Sequence, residues 1–227
     1  MAGIRRGGAA AVVRALARDA ADVVLSRSCA GCGLPGSILC ARCAPALKIA
    51  PRQRDFEPPL WFGAAYAEPI RSLIIAHKDG GQRALTHALA RLLAGAVDAA
   101  LGHGGLAGPV LLVPVPPHRS SLRRRGRDTV AELSIAASRA LPGCSTARLL
   151  LRVRETSRNA GRGARERSDQ AGAFAARTGG TAARPVILVD DVVTTGATLR
   201  EGVRALEAAG VRVAAIACVA STPLQGR

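Results

Sequence analysis

Residues 186 to 198 read Val-Ile-Leu-Val-Asp-Asp-Val-Val-Thr-Thr-Gly-Ala-Thr, and this stretch constrains the fold more than any other. The apolar run Val186 to Val189 predicts a strand carried into a core, with Asp190 and Asp191 emerging at its carboxyl end and Thr194 to Thr198 leading into a helix. Backbone N–H groups and hydroxyls at a helix N-terminus suit a phosphate, and adjacent carboxylates accept hydrogen bonds from vicinal ribose hydroxyls. The stretch therefore has the build of a sugar-phosphate cradle. The plainer alternative is a strand-turn-helix whose Asp and Thr residues only cap the helix.

At 227 residues the chain is long enough for one well-buried α/β domain plus something small. Aromatics make up 2% and hydrophobic residues 48%, so the core is built from Ala, Val, Leu and Ile, which favours helices and parallel strands. The net charge is +16, and only Lys48 and Lys78 are lysines; the rest of the positive charge is arginine. It is concentrated: between Pro116 and Ser168 stand thirteen Arg against four acids. A diphosphate needs few of these cations, so the surplus points to a larger polyanion such as nucleic acid, against the plainer view of a solvated basic surface.

Cys29, Cys32, Cys40 and Cys43 form two Cys-x2-Cys knuckles separated by seven residues. Two knuckles aim four thiolates at one ion, giving a closed tetrahedral zinc site with a structural role and no open position for chemistry. Two disulfides are the alternative, in a secreted chain. The N-terminus does not favour secretion: Arg14, Arg18, Asp19 and Asp22 break the apolar run after Arg5 and Arg6, and a short amphipathic helix within 1–28 fits better. No apolar run approaches the roughly twenty residues of a membrane span, so no membrane insertion and a cytoplasmic location are expected. Cys144 and Cys218 read as loop and core residues.

Residues 49 to 59 read as a linker, and 60 to 67 as a strand or hairpin whose Trp61, Phe62 and Tyr66 either stack on bases or form the seam to the cysteine module. A helix from Pro69 to Ala76, a turn from His77 to Gly81 and a long helix from Arg83 to Leu101, stopped by Gly102, follow. His87 and His103 read as surface or helix-end residues. The strand Val110 onward ends in Val-Pro-Val-Pro-Pro-His, where prolines rigidify a loop; Pro116, His118, Arg119 and the Arg123 to Arg125 cluster are then placed to face a diphosphate. Asp128 and Thr129 offer caps for a helix through Leu141, and Ala147 to Val153 predicts the next strand.

The stretch at 186–198 resembles the 5-phosphoribosyl-1-diphosphate (PRPP) loop of type I phosphoribosyltransferases. That resemblance implies that Asp190 and Asp191 hold the ribose hydroxyls and that Thr194, Thr195, Gly196, Ala197 and Thr198 wrap the 5-phosphate. It also places a short pyrophosphate loop after an early sheet strand, where Val110 to His118 lies. The cysteine knuckles, the Tyr66 strand, the His77-Lys78 turn, Val113-Pro114-Val115-Pro116, Arg124-Arg125-Gly126 and the acid-threonine loop occur in this order in the ComF/GntX family, over nearly the whole chain. The implied fold is α/β: a type I phosphoribosyltransferase fold, doubly wound with a mainly parallel sheet over 60–222, preceded by a small four-cysteine zinc module over 29–48.

The same resemblance implies PRPP with Mg²⁺ as ligand, and a role in competence, with single-stranded DNA and other DNA-processing proteins as partners. This chain departs from the family pattern in two places. Arg127, Asp128 and Thr129 follow Gly126 where Phe-Asn-Gln is usual, and Asn159 and Asp169 stand where the next polar segment usually carries Gln and Asn, although Ala173-Phe174 remains. Thr194 occupies the position at which hypoxanthine-guanine enzymes carry an Asp, which argues against 6-oxopurine salvage. Three functions stay open: DNA handling with PRPP binding, Mg-dependent phosphoribosyl transfer to an unidentified acceptor, and PRPP sensing without catalysis.

Overall fold

The structure is a computed structural model that describes residues 28–106, 108–155, 170–177 and 184–223. The helix expected within 1–28 falls outside these residues apart from Ser28, as do Asn159 and Asp169.

Among the described residues, eight strands form two sheets. The large sheet has the order β1 (Arg52–Arg54), β2 (Leu60–Ala65), β8 (Val213–Ser221), β7 (Val186–Val193), β3 (Val110–Pro114), β4 (Cys144–Thr146). All its neighbours run parallel except β1, which pairs antiparallel with β2 at the edge. The apolar strands are buried on both faces, as parallel strands under helices require. Side chains alternate: Leu112, Ile187, Val189, Ala215 and Ala217 pack on one face under α1 (Ile70–Lys78), α2 (Thr86–Gly104) and α4 (Thr129–Arg139). Leu111, Val113, Val186, Leu188, Ile216 and Cys218 pack on the other face with α5 (Ala197–Ala208) and the small antiparallel pair β5 (Leu150–Arg152) and β6 (Phe174–Ala176). The sheet is thus doubly wound, with α3 (Arg119–Arg125) on the loop after β3.

Several expected boundaries move. The stretch expected as a linker contains β1, which is held by β2. Helix α1 runs on through His77 and Lys78 because His77 is fully buried: its Nε2 lies 3.0 Å from Thr86 Oγ1 and 2.9 Å from the donating Arg127 Nη2. Helix α2 passes through Gly102 and ends where Gly105 adopts the left-handed conformation. The run Ala147 to Val153 splits: β4 lies before it in the main sheet and β5 belongs to the small sheet, so Cys144 sits in a strand and not in a loop. Asp128 does cap α4, accepting the Ala131 amide at 3.0 Å.

Among the described residues, one helix, Arg83–Gly104, is long and apolar enough to cross a membrane, with mean hydropathy 1.3; 56% of that stretch is buried in the core. Leu89, Leu92, Leu93, Ala96, Val97 and Ala100 recur at the 3–4 spacing of a single face turned to the sheet.

Candidate functional site

Asp190 and Asp191 do not end β7. The ladder to β8 continues past them through Asp190 opposite Cys218 and Val193 opposite Ser221, so backbone pairing fixes both acids on a rigid strand. Asp191 is 3% exposed and its Oδ2 lies 2.7 Å from Lys78 Nζ. That pairing holds the Lys78 ammonium above its ordinary pKa. Asp190 Oδ1 accepts the Asp191 amide at 2.8 Å. Loss of water and the neighbouring Asp191 charge together push the Asp190 carboxyl up to about 8, with Lys78 opposing them.

Beyond β7 the chain turns at Gly196, which has φ +80 and stands just before Ala197, the first residue of α5. A Cβ there would lie 2.4 Å from Phe56 Cε2, so glycine is required twice over, by conformation and by space. Phe56 is itself covered by the Arg200 guanidinium, 4.6 Å from its ring centre. Thr194 is exposed, Thr195 Oγ1 accepts the Ala197 amide at 3.4 Å, and Thr198 faces the acids. The N-cap of α5 has no side-chain capping bond, so Asp190 and Asp191 are not its capping residues.

The acids form one wall of a cavity of about 350 Å³. Pro116, Pro117 and His118 from the loop after β3 form another, with Lys78, Arg125 and Arg152 as its cations. Of the loop residues expected to face a diphosphate, Pro116 and His118 line this space; His118 Nδ1 meets Glu155 Oε2 at 3.1 Å. Arg119 lines a neighbouring cleft, and Arg123 is exposed outside both. Asp79 gathers Arg124 and Arg125, its Oδ1 accepting from Arg124 Nη2 at 2.7 Å and Arg125 Nε at 3.0 Å.

Three contributors were not singled out from the sequence. Lys78 carries two signals, as one of two lysines in a chain that otherwise uses arginine and as part of the His77-Lys78 turn of the family pattern. Arg152 and Gln170 also line the cavity, and nothing local in the sequence marks them. Arg127, where the family pattern has an aromatic residue, is buried at 7% exposure. It donates to Glu132 through Nε at 3.0 Å and to the His77 carbonyl through Nη1 at 3.3 Å. Burial and then the Arg127 charge hold His77 down to about 4, so the imidazole is neutral and braces the end of α1 next to Lys78.

The four cysteines converge. Their Sγ atoms all lie within 4.8 Å of one another, and Cys32 and Cys40 are 3.6 Å apart, too far for a disulfide and close to the ~3.8 Å edge of a tetrahedral tetrathiolate zinc site. All four are free. The Cys40 amide points at Cys29 Sγ at 3.4 Å and is the main influence lowering that thiol to about 6, whereas burial and the adjoining thiols push Cys43 up to about 12. The cluster can hold a metal ion. Around it Ala30, Ile38, Leu39 and Leu47 pack on the main core beside Trp61 and Tyr66, so these two aromatics serve as a seam. Trp61 also meets the His103 ring at 5.5 Å.

Residues 133–226 match the family model described as the phosphoribosyl transferase domain. Competence protein F of Haemophilus influenzae is 32% identical over 186 residues, which cover 81% of this chain and 80% of that protein. With an α/β architecture, a mainly parallel sheet and the clustered cysteines ahead of it, the chain belongs to the ComF family of phosphoribosyltransferase-domain proteins.

Proposed function

We propose that this protein binds PRPP or a closely related ribose phosphate in the cavity beside β7 and acts in DNA uptake during natural transformation. Asp190 and Asp191 take the ribose hydroxyls, and the turn from Thr194 to Thr198 takes the 5-phosphate on the amides at the start of α5. Pro116, His118 and Arg125 face the diphosphate, with Arg119 and Arg123 on the approach to it. The observation that carries this reading is the acid pair fixed on a parallel strand beside a helix N-terminus, opposite a proline-stiffened loop and three cations. Open parallel sheets bind ligands at this end of their strands.

A polar, acid-lined cavity fits Mg²⁺, which would lie mainly on PRPP oxygens and leave Asp190 and Asp191 to the ribose. When bound, Mg²⁺ neutralises charge on the diphosphate. The chain's own residues orient the ribose through Asp190 and Asp191 and oppose the charge on a departing diphosphate through Lys78 and Arg125. Transfer to an acceptor is the second reading, and the cations on the diphosphate side are what favour it. The cysteine cluster holds zinc in a structural role, since four thiolates leave it no open position. The competence role rests on the printed name of the H. influenzae relative and on the +16 charge, which suits single-stranded DNA; a cytoplasmic location and contacts with DNA-processing proteins go with it.

Thermal unfolding tests the cavity assignment. PRPP with Mg²⁺ raises the melting temperature of the wild type and leaves Asp190→Asn/Asp191→Asn unmoved. Equal shifts in the two proteins overturn the assignment.

A further inference from the structure

Pro116 and Pro117 form a wall, and behind it opens a second cleft of about 390 Å³. Its floor includes Leu122 from α3 and Leu151 from β5, which are 43% and 38% exposed although large and apolar. The cleft is lined by four arginines from three parts of the chain: Arg119 from α3, Arg148 and Arg152 from the β5 segment, and Arg177 after β6. The acid on its wall, Asp128, is engaged already: it caps α4 and lies 3.9 Å from Arg148.

The Arg152 guanidinium lies 4.5 Å from the Phe174 ring centre and gives Nη2 to the Pro116 carbonyl at 3.2 Å, which fixes its plane. Its Nε and Nη1 are wholly buried, so Arg152 offers the cleft a fixed side chain and not free donors, and an anion there would be held by Arg119, Arg148 and Arg177. An inorganic anion alone would use the arginines and leave the leucines in water; an apolar partner would do the reverse. A nucleotide uses both, setting its base on apolar side chains and guanidinium planes and its phosphate in arginine forks.

We propose that this cleft is a nucleotide site, distinct from the acid-lined cavity, which takes one nucleoside monophosphate unit either free or within a single strand. It uses neither the acid pair nor the threonine turn. The two spaces share only Pro116, Pro117 and Arg152, which would bring a bound nucleotide beside a bound ribose phosphate.

The full chain is titrated with thymidine monophosphate, a thymidine hexanucleotide and inorganic phosphate at about 0.1 M salt. Arg148→Ala/Arg177→Ala, which touches only the second cleft, weakens both thymidine ligands by about tenfold. Leu151→Ser weakens thymidine monophosphate by about threefold or more and leaves inorganic phosphate unchanged. Asp190→Asn/Asp191→Asn leaves the nucleotide affinity where it was while abolishing the PRPP shift, which separates this site from the cavity. Melting temperatures within a few degrees of wild type show that the variants fold. A hexanucleotide that binds far more tightly than the mononucleotide supports the site and identifies a strand as its source; equal affinities support it and identify a free nucleotide. Unchanged nucleotide affinity in the arginine variant, loss of it in the acid variant, or inorganic phosphate binding as tightly as the nucleotide overturns the proposal.

Discussion

Desolvation and the neighbouring Asp191 carboxylate push Asp190, a half-buried residue on the cavity wall, up to about 8, with Lys78 opposing them. Between about pH 4 and 8 the unfolded chain has already released the Asp190 proton while the folded chain still holds it. Stability therefore falls as pH rises through that window, and the penalty is complete above it. Asp190→Asn removes the penalty: the ligand-free variant gains about 1–3 kcal/mol at pH 8 and nothing at pH 4, read by denaturant unfolding at the two pH values. A gain that does not depend on pH would contradict the assignment. In the proposed ribose-binding role a carboxylate offers two acceptor oxygens where Asn offers one, which would account for keeping the less stable residue.

The partner of these acids was harder to foresee than the acids themselves. Asp190 and Asp191 are marked by their place after four apolar residues, whereas Lys78 reaches Asp191 only because the sheet and α1 pack together. No local spacing encodes a contact between residues 78 and 191. Arg152 is similar: it enters the cavity from the small β5–β6 sheet, and three-residue strands leave too short a pattern to read.

At the scale of elements, β7 was legible at its start and not at its end. Continuous apolarity announces a strand from Val186 to Val189, but two acids read as a strand's end. They continue it because the β8 ladder persists and Lys78 neutralises the buried charge. The turn that follows depends on Gly196 for both its left-handed backbone and the room taken by Phe56. Gly196→Ala is expected to destabilise the protein by about 1–3 kcal/mol. Adding Phe56→Ala relieves the steric part and leaves the conformational part, so the two changes are non-additive in a double-mutant cycle. Strict additivity would show that the ring does not press on the turn.

The cysteine module was legible because its spacing brings four thiols together; its anchoring on the main core through Ile38, Leu39 and Leu47 was not. Cys40→Ser is expected to lose the bound zinc, measured as one ion per chain by elemental analysis, and to lower the melting temperature by several degrees through loss of that anchored surface. Retention of stoichiometric zinc in Cys40→Ser would contradict a four-thiolate site.

For the whole molecule, the doubly wound sheet follows from aliphatic strands that need cover on both faces, and the placement of ligand chemistry at their carboxyl ends follows from that topology. Cations line the cavity, and arginines line the second cleft beyond the proline wall, so the two proposed ligands, a small phosphate and a larger polyanion, would meet adjoining surfaces. The central claim is that the acid pair grips a ribose phosphate. Calorimetric titration of PRPP with Mg²⁺ at pH 7, in two buffers of different ionisation enthalpy, tests it most directly. The expected result is one site per chain with release approaching one proton from Asp190, and no binding heat in Asp190→Asn/Asp191→Asn. Binding that survives the double substitution, or that releases no proton, would contradict it.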